Sequence, residues 1–279
     1  MKTILRGRTS EVVIDTSGPV VIIGESINPT RRKRLVTTLQ EGSFDYLLEL
    51  ADVQIKAGAD VLDVNVGFPG VDDQKLLPEA VSVLQDNFDI PLCLDSPNPS
   101  AIEAALKVST GRCLINSVNG REESMKTLIP IAGEYNAAII GLCMDESGIT
   151  DDPQKRLAVA EKIIELAVRS GLDCEDVVVD PLAMAVSAEP QACVVTLETI
   201  RLISKKLGCN ITMGASNISF GLPGRESLNS IFVAMAIAAG LTCPIANPEK
   251  IAPAVRASDL IMGRDDYAIR FVGYFQGSV

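Results

Sequence analysis

The sequence predicts an α/β fold and, within that class, a closed (β/α)8 barrel of the TIM type. Three observations predict it. Short apolar runs alternate with amphipathic helical stretches from residue 20 onward, and eight such strand-then-helix units are present. Their spacing, roughly 30 residues, is that of a barrel unit. The strand runs are continuously apolar, as strands covered on both faces of a parallel sheet must be. An open doubly wound sheet is the competing arrangement, weakened because no GxGxxG fingerprint follows the first strand. No shift in composition marks a boundary, so residues 1–279 are expected to form a single domain.

Residues 1–18 are polar and predict a short extension, a cap or β-hairpin, before a turn at Gly18-Pro19. Val20-Val21-Ile22-Ile23 is the first buried strand, ending in Gly24-Glu25-Ser26-Ile27-Asn28. The basic run Arg31-Arg32-Lys33-Arg34 reads as loop. A helix is expected over 45–57: Leu47, Leu48, Ala51 and Ile55 fall at helical spacing, and Gly58 ends it. The later strands are expected at 61–66, 91–94, 113–115, 138–143, 177–179, 211–213 and 243–246. The helices between them are expected at 73–87, 100–108, 122–135, 153–170, 192–207 and 226–239, with a terminal helix from about 250 to 260. In the helix at 226–239, Ile231, Phe232, Met235 and Ala239 share one side and offer either core packing or a homodimer surface.

Composition removes several classes of function. A net charge of −11 and a pI near 4.6 argue against nucleic-acid binding. No apolar run reaches the roughly 20 residues that span a bilayer, which argues against a membrane protein. The N-terminus has no continuous apolar segment of signal-peptide type, so a cytoplasmic location is expected. Seven cysteines, an odd number with no CxxC pair, suggest reduced thiols, with Cys93, Cys113 and Cys143 acting as small buried hydrophobes. Histidine is absent. That removes the commonest general acid/base, the commonest zinc ligand and the Ser-His and Cys-His nucleophile pairs. Carboxylates, amides, hydroxyls, Lys, Arg or an imported cofactor must carry any chemistry, and no protein-bound metal is expected.

The residues at the strand ends are nearly all acids and amides: Glu25, Asn28, Asp63, Asn65, Asp95, Asn116, Asp145, Asp180 and Asn217. In a parallel barrel these positions converge on one mouth. Such a lining suits a flat, nitrogen-rich ligand, because a carboxylate can accept two hydrogen bonds from an NH–C–NH2 edge and amides can pair with ring carbonyls and nitrogens. The bland alternative is that each residue stops its strand and caps the next helix. No strand-end Lys is present to form a Schiff base. Magnesium binding is a further use for the acids. The stretch Gly214-Ala215-Ser216-Asn217 opens into a loop, Phe220–Gly224, that reads as a flexible connection or a lid. The basic run Arg31–Arg34 is either a solvated loop or a dock for a polyanionic tail or an acidic partner.

On the motifs Gly24-Glu25-Ser26-Ile27-Asn28, Leu62-Asp63-Val64-Asn65-Val66-Gly67, Cys93-Leu94-Asp95-Ser96, Ile115-Asn116-Ser117, Asp180-Pro181 and Gly214-Ala215-Ser216-Asn217, the chain resembles the pterin-binding methyltransferases. These enzymes exchange a methyl group between tetrahydrofolate and a corrinoid protein. The resemblance spans about residues 20–265. Cobalamin-dependent methionine synthase carries a similar module, and dihydropteroate synthase shares the barrel. The resemblance implies that Asp95, Asn116 and Asp180 hold the pterin by its polar edges. It places Asn217 near N5, with Glu25, Asp63, Asn65, Asp145, Gly214, Ser216 and Arg225 also around the mouth. Asn217 and Asp95 are the implied catalytic pair. Tetrahydrofolate or 5-methyltetrahydrofolate is the implied substrate, and the corrinoid, a cobalamin, is supplied by a partner protein. A dihydropteroate synthase, or a folate-binding module without turnover, is the alternative. The final strand has no Ser-x-Arg pair or Lys of the dihydropteroate synthase kind.

Overall fold

The computed structural model describes residues 1–30 and 32–277. Arg31, the first residue of the basic run, lies outside the described residues, as do Ser278 and Val279. A hairpin comes first, β1 (Lys2–Arg6) paired antiparallel with β2 (Glu11–Asp15). Eight parallel strands follow: β3 (Ile23–Ile27), β4 (Val61–Val64), β5 (Leu92–Asp95), β6 (Leu114–Asn119), β7 (Ala138–Leu142), β8 (Val177–Asp180), β9 (Thr212–Gly214) and β10 (Cys243–Ala246). Each pairs with its sequence neighbour, and β10 returns to pair with β3 through Ile245 opposite Ile23. First and last strands of an open doubly wound sheet do not meet in this way, so the barrel expected from the sequence is the arrangement present. The ring closes between β8 and β9 through one bridge, Val179 to Ile211, where the Val179 amide donates to the Asn210 carbonyl at 2.9 Å.

The helices are α1 (Lys33–Gln40), α2 (Asp45–Lys56), α3 (Asp73–Asn87), α4 (Pro99–Val108), α5 (Glu122–Glu134), α6 (Pro153–Arg169), α7 (Ala192–Lys206), α8 (Arg225–Ala239), α9 (Pro248–Ile261) and α10 (Ile269–Gln276). Three of them start alike. Asn98, Asp152 and Asn247 cap α4, α6 and α9, and a proline takes the first helical position, where its missing N–H costs nothing. Three elements depart from the expectation. The first barrel strand is not the apolar run 20–23 but residues 23–27, where a register shift between Gly24 and Ile27 admits the polar pair Glu25-Ser26. Residues 33–40 form a helix, not a loop, because Leu35 and Leu39 give it a buried stripe one turn apart beneath the cations. Strand β6 runs to Asn119, past the expected end at 115, with a register shift between Ile115 and Val118 that absorbs the polar pair Asn116-Ser117. The chain also continues beyond α9 into α10.

Apolar side chains form two layers. The outer layer lies between strands and helices and includes Leu62, Leu94, Ile115, Ile139, Leu84, Ile102, Ile163 and Ile200. The inner layer fills the barrel: Ile23, Val61, Cys93, Leu114, Ala138, Ile140, Val178, Cys243 and Ile245. Leu5 and Ile14 of the hairpin belong to this inner layer, and both are fully buried. The hairpin is tied across the N-terminal end of the strands. Arg112 donates to the Ile4 carbonyl at 2.7 Å, and Asn210 donates to the Ile14 carbonyl at 2.8 Å. The N-terminal end of the barrel is therefore stopped, and the interior opens at the C-terminal ends of the strands. Cys93, Cys113 and Cys143 are buried, as the sequence suggested. On α8, Phe232 and Ala239 are core residues, whereas Ile231 and Met235 are 62% and 49% exposed. Among the described residues no helix is long and apolar enough to cross a membrane.

The stopper makes a stability prediction. Ile14→Ala removes a fully buried methylene set from the barrel floor and should cost about 2–5 kcal/mol in a urea titration. Val13→Ala, on the exposed side of the same strand, should stay within about 0.5 kcal/mol. Equal effects at the two positions would show that the hairpin does not plug the barrel.

Candidate active site at the barrel mouth

Strand parity assembles the mouth. Alternate residues of a strand share a face. Ile23, Val61, Cys93, Leu114 and Val178 face the barrel interior. The residues two positions further on, Glu25, Asp63, Asp95, Asn116 and Asp180, therefore face inward one layer higher. The strand register sets their neighbours: Asp95 lies opposite Asn116, and Asp63 lies opposite Cys93. A ring of apolar floor thus carries a ring of acids and an amide at its rim.

The rim side chains hold one another. Asn116 donates through Nδ2 to Asp63 Oδ1 at 3.1 Å, which leaves its amide oxygen for another partner. Asn65 donates through Nδ2 to Asp95 Oδ2 at 2.9 Å and accepts from the Gly67 amide at 2.9 Å. Asp63 is buried, and burial, followed by the neighbouring Asp95 charge, pushes its carboxyl up to about 8. Hydrogen bonds from Asn116 and the Cys93 thiol oppose that rise. Burial also raises Asp95, against the bond from Asn65. Two adjacent carboxylates in a dry site cannot both ionise cheaply.

Asp180 sits across the mouth. Burial pushes its carboxyl up to about 7, opposed by the Leu182 amide and by Arg156. Its Oδ1 accepts from the Leu182 amide at 2.7 Å. Leu182 has a positive φ of 65°, a conformation that costs an L-residue about 1–2 kcal/mol. Three bonds hold it there: the one to Asp180, and two on its carbonyl, from Arg156 at 2.8 Å and Thr196 at 3.1 Å. Arg156 is 1% exposed and also donates to the Pro181 carbonyl at 2.7 Å. Sequence reading missed it, because Arg156 is one more polar position in an amphipathic helix. A hydropathy pattern does not separate a buried arginine from a solvated one.

The β9 end completes the rim. Ser216 donates to Glu25 Oε1 at 2.7 Å. Burial raises the Glu25 carboxyl, while the Ser216 bond and the Arg225 charge lower it. Arg225 spans the following turn, from Nε to Ser219 Oγ and from Nη2 to the Ser216 carbonyl, both at 2.9 Å. The turn after β9 is thus pinned at both ends. Asn217 is exposed, and its amide folds back over Gly214. A Cβ on residue 214 would lie 2.9 Å from Asn217 Nδ2, so only glycine leaves the amide in this position.

Separate cavities open around the mouth. Asp95 and Asn116 line one of about 480 Å3, together with Ser96, Ser117, Asn119 and Arg121. Glu25, Ser216 and Arg225 line one of about 200 Å3 with Asn229, whose buried Oδ1 has no partner among the described residues. Asp145 is held apart from these groups. It is bound by Ser147 Oγ at 2.6 Å and lies on a third cavity of about 310 Å3 with Lys155 and Lys162. The Ser147 bonds lower its carboxyl. Asn28 likewise turns onto its own loop, accepting from the Thr30 amide at 2.9 Å.

The family model described as pterin binding enzyme matches residues 24–247. The methylcorrinoid:tetrahydrofolate methyltransferase of Eubacterium limosum is 28% identical over 271 residues, which cover 93% of this chain and 98% of that protein. The methionine synthase of Mycobacterium tuberculosis is 31% identical over 271 residues, 89% of this chain but 23% of the longer protein. Among solved structures, the 7,8-dihydropteroate synthase of Vibrio fischeri superposes with a TM-score of 0.71 at 16% identity, over 94% of this chain and 99% of that one. A Yersinia pestis dihydropteroate synthase in complex with a sulfonamide drug gives 0.71 at 17% identity, over 94% and 100%. At that identity these structures speak to the fold alone. The family match extends from the second residue of the first barrel strand to the residue that caps α9, and the chain belongs to the pterin binding enzyme family.

Proposed function

We propose that the protein is a methyltransferase that moves a methyl group between N5 of tetrahydrofolate and the cobalt of a corrinoid carried on a partner protein. One observation carries the reading: the relative named methylcorrinoid:tetrahydrofolate methyltransferase matches over 98% of its own length. The rim chemistry supports it. Asp180 has the Leu182 amide as its hydrogen-bond donor among the described residues. It therefore keeps acceptor capacity for the NH–C–NH2 edge of a pterin. Asp95 keeps one oxygen beyond its Asn65 bond, and Asn116 keeps its amide oxygen. In this reading the three take a flat heterocycle by its edges; Asp95 and Asn116 share one cavity, and Asp180 is assigned from its free acceptor capacity.

In the direction that forms methyltetrahydrofolate, the methyl–cobalt bond breaks, cobalt keeps the electron pair as Co(I), and N5 bonds the methyl and releases its proton. In the other direction Co(I) attacks the methyl, and N5 leaves with the pair. An amine is a poor leaving group, so charge developing on N5 needs a donor in the transition state. Asn217, held over Gly214, supplies an amide N–H for it. Glu25 is bonded to Ser216, the residue beside Asn217, and has a raised carboxyl. We assign the proton exchange to it.

The direct test mixes the protein with 5-methyltetrahydrofolate and cob(I)alamin and follows methylcobalamin in the visible spectrum. Folate binding without that spectrum would favour a binding module. Dihydropteroate formation from a pterin diphosphate and p-aminobenzoate would move the protein to the other enzyme. Asn217→Ala should lower the transfer rate about 10²-fold or more while changing pterin affinity only a few-fold. Equal losses would restrict Asn217 to ground-state binding. Asp180 accepts the pterin edge only when ionised, and its carboxyl titrates at about 7. Pterin affinity measured by calorimetry should therefore fall as pH drops from about 8 to 5.5, by up to tenfold per unit. Asp180→Asn should bind weakly with a flat profile over that window, and a pH-dependent Asn variant would place the titration elsewhere.

A further inference from the structure

The chain has a net charge of −11, yet the end of the connection from β3 to α1 and the first turn of α1, on the mouth face, carry Arg32, Lys33 and Arg34 in succession. Arg34 is engaged elsewhere: it pairs with Glu49 at 2.8 Å and lies 3.9 Å over the Tyr46 ring. Arg32 and Lys33 have no ion-pair partner among the described residues. Lys33 is exposed and Arg32 half-buried. Both line a cavity of about 270 Å3 with Pro29, Val36 and Thr37. Pro29 and Val36 also line a second cavity of about 230 Å3, whose far wall includes Gly67, Phe68 and Pro69. The two cavities form one groove.

The groove abuts the rim at both of its edges. The Gly67 amide bonds Asn65, and Asn65 bonds Asp95. On the other edge, the Arg32 charge reaches Glu25 and favours its ionised form. Beside the rim's acids and amides the groove brings together a slot lined by proline, valine and phenylalanine and two cations without an ion pair among the described residues. A folate carries the three matching parts: a pterin, an aromatic aminobenzoyl group, and glutamate carboxylates.

We propose that this groove is a tail subsite. The aminobenzoyl ring lies between Pro29 and Val36 on one side and Phe68 and Pro69 on the other. The carboxylates of a γ-linked oligoglutamate meet Arg32 and Lys33. The inference rests on the folate reading of the rim. An exposed cation gains little from one carboxylate in salt water. Several carboxylates on one tethered tail meet the same two cations at high effective concentration. The groove therefore selects substrate by tail length and leaves the pterin contacts untouched. An acidic partner protein would also be drawn to these cations, but it has no use for an apolar slot that leads into the rim.

Calorimetric titration of the intact protein with 5-methyltetrahydrofolate bearing one or five glutamates tests this. At about 50 mM salt the pentaglutamate should bind about tenfold tighter, and at about 0.5 M salt the ratio should fall to about twofold. Lys33→Glu should bring the ratio close to one and leave the monoglutamate within about twofold of the unmodified protein. Phe68→Ala should weaken both ligands equally. Monoglutamate binding with a ratio near one in the unmodified protein overturns the tail subsite alone. So does a Lys33→Glu variant that keeps the ratio but slows methyl exchange with the corrinoid protein, which gives the cations to an acidic partner. Failure of both folates to bind overturns the proposed function and the subsite with it.

Discussion

A carboxyl group placed in a dry neighbourhood must find hydrogen bonds or keep its proton, and the mouth of this barrel is built around that constraint. Asp63 and Asp95 come from adjacent strands and share one confined region. Their partners, Asn116 and Asn65, are neutral amides, not cations. Amides satisfy the carboxyl oxygens without fixing the charge. The protonation state of the rim is therefore open to change when a ligand brings its own donors. A rim of arginine-paired aspartates would be more ionised and less responsive.

The supports beneath the rim follow from the same constraint. Arg156 is buried within α6, yet it bonds backbone carbonyls of Pro181 and Leu182 in place of the Asp180 carboxylate. Its charge steadies Asp180 at a distance and does not consume the acceptors. The Leu182 backbone is held in an unfavourable conformation so that its amide points at Asp180. Arg225 does comparable work on the other side, where its guanidinium spans the Ser216 turn and leaves Glu25 to the Ser216 hydroxyl.

Much of this was legible in the sequence. Parallel strands buried on both faces must read as apolar runs, so β4 to β10 stood out, whereas β3 begins only at the last residue of its apolar run. The chemistry of the rim was visible because polar residues closing an apolar strand have few structural reasons to be there. The misses share a physical origin. Helix α1 was hidden because three cations in a row outweighed the two leucines that bury it. The end of β6 was hidden because polar Asn116 and Ser117 lie within a strand whose register shifts around them. Asp145 carries the strand-end signature, yet its carboxyl is taken by Ser147 two residues away. A local turn of this kind competes with the mouth for the same side chain, and no pattern of spacing decides between them. Arg156 needed three-dimensional burial to be noticed.

The ring of strands has one thin joint, where β8 and β9 are joined by a single bridge, Val179 to Ile211. Asp180 is the residue after Val179, and the Ser216-Asn217 turn follows β9 directly. In the proposed reaction the bound heterocycle touches both sides of that joint. The substrate then acts as a staple across the weakest stitch of the barrel, and tightness of binding becomes tightness of the ring itself.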